Sequence, residues 1–510
     1  MIPFISLMAA AAVSALGFTL SLPNEFLLSG FPPGGFICLV PLFYALGETK
    51  SWREGALLGF VFGLVFHAAS CYWLANFKDY AVWTLGATAI LYACFYGFWA
   101  VLLRYAAIQK NEAGSLLLAV IWTLTEWQKS TGYFGFPWGL LPYTVQNVPV
   151  LIQSADTSGV YGIGFMLALF NAVFAGFIRT GIRGFSLRKF PALLSALVIL
   201  LCTSGYGIWS LANPVPVLRR IPVVLVQYNT DQSLNEDKAL SEAVNLSREG
   251  TASLQAQNIE PALIVWSETT LMLPYGGNRF FQSSSKVPFL EQSNIPVLTG
   301  APVIQGDTEI SNGAILVQKG KVISDYSKRQ LIPFAEVIPF GNQEWMQRLM
   351  EKFAGFSSGW TAGTEATVME IPGLRFGTPI CFEDAFAGIC RDFVRGGAGA
   401  LVNLTNDSWS QSRSAQIQHL AAARFRAIEN RLTVVRSTNS GCTAVIDASG
   451  RITAELPMFT AAFLAADVPV YSGGHTFYFL LGDWLPMLCF LLLAASMFVS
   501  AAGYRLPEQY

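Results

Sequence analysis

The sequence predicts two joined fold classes, an α-helical membrane domain and a layered α/β domain. Three observations carry the prediction. Of the 510 residues, 53% are hydrophobic and 13% charged, with a mean hydropathy of +0.45, which fits an integral membrane protein better than a set of soluble domains. The apolar residues gather in runs long enough to cross a bilayer, a task that takes ~20 residues. One stretch, from 213 to 473, instead has mixed polarity, with short β-branched runs between turn residues.

Seven apolar runs precede that stretch, near 4–20, 31–46, 55–75, 85–105, 114–131, 160–178 and 190–211, and an eighth follows near 476–502. The first has no Lys or Arg between Met1 and Met8 and is followed at once by further runs, so it reads as a retained helix rather than a signal peptide. The second is short and begins with Pro32, Pro33, Gly34 and Gly35. The expected organisation is a membrane domain over 1–212, a folded domain over 213–473, and a final helix with a short tail over 474–510. Some 260 residues suffice for a core of their own.

Orientation is read from the basic residues of short loops, which favour the cytoplasm. Lys50 and Arg53 follow the second run, Arg104 and Lys110 the fourth, and Arg179, Arg183, Arg188 and Lys189 lie between the sixth and seventh; the alternate loops hold little beyond Lys78 and Lys129. Both termini are therefore expected inside and the large domain outside, which in a bacterium is the periplasmic face of the inner membrane. A formal net charge of −1 gives no reason to expect nucleic acid binding.

Within 213–473, the segments 221–229, 262–268, 295–303, 312–318, 374–383, 399–407, 432–438 and 442–448 read as strands. Ile417, Leu420, Ala421, Phe425 and Ile428 repeat at the spacing of one helix face over 415–431. Strands alternating with helices imply an α/β domain.

Three residues of this domain suit acyl transfer. A nucleophilic thiol needs a base for its proton and a cation for the oxyanion formed at a carbonyl. Glu268 in VWSET, Lys328 in YSKRQLIPFAE and Cys381 in PICFED supply those groups, two of them at strand ends. The alternative for Cys381, Cys390 and Cys442 is a disulfide with a spare thiol, or inert core cysteines. The only histidines are His67, His419 and His475, without paired ligand spacing, so neither a metal site nor a Cys-His dyad is expected.

The chain resembles the apolipoprotein N-acyltransferases, whose outer domain belongs to the nitrilase, or carbon–nitrogen hydrolase, superfamily. The resemblance spans nearly the whole chain. WSET around Glu268, YSKRQLIPFAEVIPFG around Lys328 and ICFED around Cys381 match, as do NDSW at 406–409, HLAAARFRAIENR at 419–431 and RSTNSG at 436–441; TEW at 125–127 and GFPWG at 135–139 match in the membrane part. The chain departs where Glu236, not Trp, follows QSLN, and where Ala335 replaces the usual Gly.

The resemblance implies an α-β-β-α sandwich on eight transmembrane helices and a ping-pong reaction without a cofactor. Glu268 deprotonates Cys381, which takes an acyl chain from a phospholipid while Lys328 stabilises the oxyanion. The thioester then acylates the α-amine of the diacylglyceryl-cysteine of an apolipoprotein. A monomer suffices. Glu336 and Glu383 match family positions that support the trio; their alternatives are a surface carboxylate and a strand-end carboxylate paired with Arg391 or Arg395. Trp409 matches a family Trp near the substrate, or is packing.

Independently of the family, Trp345, Met346, Leu349, Met350 and Phe353 fall on one face of an expected helix, followed by Trp360. Such a stretch is either a lid that enters the outer leaflet or an amphipathic helix covering the sheet. Glu126 is expected in a polar floor beneath the active site or at the water boundary. Two other functions compete: a membrane-tethered amide hydrolase using the same trio, and a transport or scaffold protein with a vestigial domain.

Overall fold

A computed structural model describes residues 2–77, 82–109, 113–180, 190–231, 235–275, 287–305, 309–333, 335–337, 343–345, 347–348, 351, 359–472 and 475–503. The chain divides into two compact units, Met1–Asn213 with Thr476–Tyr510, and Pro214–His475.

The first unit is helical. Phe4–Ser21, Thr84–Ala107, Ala155–Arg179 and Pro191–Ala212 are long and apolar enough to cross a membrane, and Trp484–Ser500 is apolar but shorter. Only 11% of the Pro191–Ala212 window is buried within the protein, so the rest of that apolar helix calls for an apolar surrounding. The expected run at 31–46 is not one helix. Proline favours a helix start and breaks a helix interior, and here Pro32–Phe36 forms a 3-10 turn ahead of a nine-residue helix, Val40–Glu48. At 1.5 Å per residue the latter spans roughly 14 Å, half a hydrocarbon core. Ala155–Thr180 is interrupted at Gly159, whose φ of 63° is left-handed. A Cβ there would lie 2.5 Å from the Tyr478 ring.

Aromatic rings fill the centre of this unit. Phe18 stacks on Phe66, and Phe62 meets Trp122 and Tyr96 edge-on. Glu126 is buried within the unit and accepts the Leu141 N–H at 2.5 Å, while buried Lys129 donates to the Trp138 carbonyl at 2.6 Å. The water-exposed alternative for Glu126 is thereby corrected: its carboxylate caps the start of the Leu141–Val145 turn.

Among the described residues, the second unit holds two six-stranded sheets. The strands are β1 (Val217–Gln227), β2 (Leu263–Val265), β3 (Val297–Gln305), β4 (Glu309–Gln318), β5 (Lys321–Ser327), β6 (Val368–Ile371), β7 (Leu374–Gly377), β8 (Ala400–Thr405), β9 (Thr433–Thr438), β10 (Ala444–Ile446), β11 (Ile452–Glu455) and β12 (Ala462–Tyr471). Their orders are β12-β1-β2-β3-β4-β5 and β11-β10-β9-β8-β7-β6. β1, β2 and β3 run parallel, as do β7, β8 and β9.

Alternate residues of β1 explain its two buried faces. Val224 and Val226 enter a core with Ala243, Leu246 and Trp266, under the Glu236–Gln255 helix. Across the other face, Ser437 of β9 donates to the Val265 carbonyl at 3.1 Å, joining the sheets. The helices Ala387–Arg395 and Arg413–Asn430 cover the second sheet. The domain is thus a layered α/β sandwich.

Sequence and structure differ locally. The 374–383 run is a strand only to Gly377, after which Cys381–Ala385 forms a 3-10 turn. The helix expected over 415–431 spans Arg413–Asn430, capped by the Ser412 hydroxyl, which accepts the Ala415 N–H. Beyond Arg413 it is buried on nearly every side, with Arg424, Arg426 and Glu429 included.

Candidate active site

Three loops at the ends of strands converge. Glu268 lies three residues beyond β2, beside Thr269, whose φ is 52°. The backbone there is pinned by Gly300 N–H to Ser267 O at 3.1 Å and Leu271 N–H to Gly300 O at 3.0 Å. Lys328 directly follows β5, and its N–H donates to Asn312 O on β4 at 2.8 Å. Cys381 opens the turn after β7 with φ 52°, a left-handed conformation that is costly for a side-chain-bearing residue. Asn403 of β8 holds that turn by donating to the Cys381 carbonyl at 2.8 Å.

The side chains meet. Lys328 Nζ donates to Glu336 Oε1 at 2.8 Å and lies 3.5 Å from Glu268 Oε1. Asn312 Nδ2 donates to both carboxylates, 2.9 Å to each. Glu268 Oε2 accepts the Asn406 N–H at 3.0 Å, and Glu336 Oε2 accepts the Ile332 N–H at 2.9 Å. Glu268, Lys328 and Cys381 are all buried, and a hydrogen bond with Cys381 is among the influences on the Glu268 carboxyl.

Burial raises the Glu268 pKa, against the opposing pull of Lys328. Burial also pushes the Cys381 thiol well up, and Glu268 adds to this while Lys328 opposes it. For Lys328, burial disfavours the cation, yet Glu336 and then Glu268 outweigh it and raise its pKa. The resting thiol is thus protonated and the lysine a cation, its ammonium held between the Glu336 and Glu268 carboxyl groups. A carboxylate of raised pKa is the stronger proton acceptor.

Glu383 is not paired with Arg391 or Arg395. It is fully buried and accepts the Ile380, Arg329 and Gln330 N–H groups at 2.8, 2.7 and 3.0 Å, together with the Tyr326 hydroxyl at 3.0 Å. It therefore clamps the Cys381 turn to the segment after Lys328. Burial raises its pKa, against those backbone bonds.

Trp409 is half-buried in a short 3-10 turn, Ser408–Ser410. Trp345 is 59% exposed. The Trp360 N–H donates to Glu336 O at 2.8 Å, which ties that segment to the Glu336 turn. Phe353, with Met346, Leu349 and Met350 of the expected lid, lies outside the described residues, as do 232–234. Cys381, Cys390 and Cys442 are free thiols, which corrects the disulfide alternative. Among the described residues, no group of three or more His, Cys, Asp or Glu is arranged to hold a metal ion.

Asn312, Tyr326 and Asn406 were not singled out from the sequence. Asn312 had one signal, a polar side chain heading the apolar NGAILVQ run. Tyr326 and Asn406 open the matched motifs YSKRQLIPFAEVIPFG and NDSW, but their roles come from strands brought together by the fold.

Residues 223–474 match the carbon–nitrogen hydrolase family, so the second unit is a nitrilase-like α/β domain. Residues 14–173 match the apolipoprotein N-acyltransferase N-terminal domain. Relatives at full length include apolipoprotein N-acyltransferase 2 of Treponema denticola, 37% identical over 96% of both chains. Its Treponema pallidum counterpart is 34% identical over 96% of this chain and 94% of its own, and the apolipoprotein N-acyltransferase of Geobacter metallireducens is 30% identical over 97% and 95%. The chain belongs to the apolipoprotein N-acyltransferase family, and is an acyltransferase of a bacterial membrane.

Proposed function

We propose that the protein moves an acyl chain from a phospholipid, through a thioester on Cys381, to the N-terminal amine of a diacylglyceryl-cysteine lipoprotein. The observation that carries this reading is the meeting of Cys381, Glu268 and Lys328 in one buried cluster. Glu268 takes the Cys381 proton as sulfur attacks the ester carbonyl. Lys328 Nζ neutralises the oxyanion. The ester C–O bond breaks, Glu268 returns the proton to the departing glycerol oxygen, and lysophospholipid leaves. The substrate amine then attacks the thioester, giving its proton to Glu268; the C–S bond breaks, and the thiolate recovers the proton. Glu336 and Glu383 hold the lysine and the nucleophile turn. Trp345, Trp360 and Trp409 contact the substrates.

The wider arrangement belongs to the same proposal. Residues 1–212 and 474–510 form eight crossings of the inner membrane, the second made by the broken Pro32–Phe36 turn and Val40–Glu48 helix rather than by one helix, with both termini cytoplasmic, and 213–473 form a periplasmic catalytic domain. The protein acts as a monomer and binds no nucleic acid. Support comes from the basic loops and the sparse burial of Pro191–Ala212.

The test is an intact-mass measurement after incubating detergent-purified protein with phospholipid alone. One acyl adduct is expected, labile to hydroxylamine, absent in Cys381→Ser and transferred to a diacylglyceryl-cysteine peptide. Fatty acid released to water without peptide acylation would support the hydrolase instead. A folded protein that takes no acyl group and leaves the peptide unmodified would overturn both.

A further inference from the structure

Beneath the turn that carries Cys381 lies a closed set of four charged side chains to which the proposed chemistry assigns no part. His419 Nε2 is 2.9 Å from Asp384 Oδ1, and His419 Nδ1 is 2.8 Å from Asp407 Oδ2. Arg436 Nη1 bonds Asp384 Oδ2, and its Nη2 lies 3.7 Å from Asp407 Oδ2. All four residues are buried. An ionised carboxylate offers only acceptors, so both ring nitrogens of His419 must donate, and the ring is an imidazolium. Two cations and two anions then leave the set neutral. Burial opposes the charged ring, but Asp407 and then Asp384 outweigh it against Arg436, and protonation persists to about 9.

The two carboxylates belong to different parts of the active site. Asp384 sits in the Cys381–Ala385 turn, which the same helix also grips through Arg426 Nη1 to Ala385 O at 3.4 Å. Asp407 follows Asn406, whose N–H is the partner of Glu268 Oε2. A continuous path of bonded groups therefore runs from the nucleophile turn through Asp384, His419 and Asp407 to Asn406 and the proposed base. The links from Asp384 through His419 to Asp407 are short and buried, the condition under which a small displacement is transmitted rather than absorbed.

We propose that His419 is a positioning residue for acyl transfer, its doubly donating ring locking the Cys381 turn to the Asn406 loop and so setting the separation of the Cys381 thiol from the Glu268 carboxylate. The inference rests on the reading of Cys381 as nucleophile and Glu268 as base. It adds a residue that acts through two others.

The first measurement uses the unaltered chain. With three histidines in the sequence, nitrogen-15 histidine labelling resolves each ring. At pH 7.5 His419 is expected to carry protons on both nitrogens, assigned by loss of the signal in His419→Gln, or by elimination with His67→Gln and His475→Gln. A neutral His419 ring overturns the proposal whatever the variants do.

The second measurement uses His419→Gln with Asp384→Asn, which removes one cation and one anion and keeps the set neutral. Iodoacetamide alkylation read on the Cys381 peptide is expected to slow by on the order of 10- to 100-fold, the usual effect of a misplaced reacting group. Acyl-enzyme formation from phosphatidylethanolamine in micelles should show the same drop in kcat with KM unchanged, at a thermal midpoint close to the parent's. Parent-like alkylation and kcat would overturn the inference while leaving the acyltransferase reading intact. Alkylation that depends on both His419 and Glu268, in a protein that takes no acyl group from lipid, would sink the acyltransferase reading and leave the positioning role standing.

Discussion

Lys328 is bonded more closely to Glu336, at 2.8 Å, than to Glu268, at 3.5 Å. The difference matters because a carboxylate that fully neutralises a lysine is a poor base. With Glu336 taking the short contact, Glu268 keeps one oxygen on Asn406 and lies beside the thiol. Glu336 also raises the Glu268 pKa through charge repulsion. Glu336→Gln should therefore shift the acidic limb of kcat/KM to lower pH and cut the plateau by on the order of 10- to 100-fold. Rates of acyl-enzyme formation across pH check it; an unmoved acidic limb would detach Glu336 from the base.

Glu383 satisfies three backbone N–H groups and one hydroxyl with a single carboxylate. Glu383→Gln turns an NH₂ group towards some of those donors, and a buried donor left unpaired costs about 1–3 kcal/mol. The expected result is a lower thermal midpoint and slow Cys381 acylation together. Tyr326→Phe removes only the hydroxyl and should cost roughly 1 kcal/mol with acylation nearly intact. Thermal unfolding and adduct formation for the pair separate clamp from packing.

Much of this was legible in the sequence, and the reasons are local. β-branched runs between turns marked β1, β3, β4, β8 and β9 to within a few residues at most ends, because strand periodicity and turn chemistry are short-range signals. Glu268, Lys328 and Cys381 could be nominated by residue type. That they meet could not, since Lys328 and Cys381 come from different sheets and the meeting is set by how those sheets stack. The Cys381 segment reads as strand because ICF is apolar, while its left-handed φ is held by a tertiary bond from Asn403 and a local one from Ile380 N–H to Glu383. The burial of His419, Arg426 and Glu429 on one helix was hidden for a related reason: helical periodicity marks one apolar face, and here the polar face is packed as well.

The His419 cation makes stability depend on pH in a defined direction. Its folded pKa, raised to about 9 by Asp407 and Asp384 against burial, exceeds the ordinary value of about 6.5. The contribution is complete below about 6.5 and is lost as pH rises through about 9, amounting to roughly 3 kcal/mol. The thermal midpoint should fall by several degrees between pH 6.5 and 9.5. A flat midpoint over that window would mean that His419 gains nothing from its carboxylates.

Gly300 on β3 determines whether the backbone at Glu268 fits. A Cβ at 300 would lie 2.2 Å from Thr269 N and 2.7 Å from both the Cα and carbonyl carbon of Glu268. These are backbone atoms, so no rotamer change relieves the clash, and either β3 or the Glu268 loop must shift. The loop is the weaker partner, because Thr269 already holds a left-handed φ. Gly300→Ala should then cost about 1–3 kcal/mol, as overpacking does, and displace Glu268 from its bonds to Asn312 and Asn406. A displacement near 1 Å reduces a positioned reaction by on the order of 100-fold. The check is the rate of Cys381 acylation beside near-UV circular dichroism of the folded protein. Parent-rate acylation in Gly300→Ala would mean that Glu268 tolerates the shift, and that its position is governed by Asn312 and Asn406 rather than by the close approach of β3.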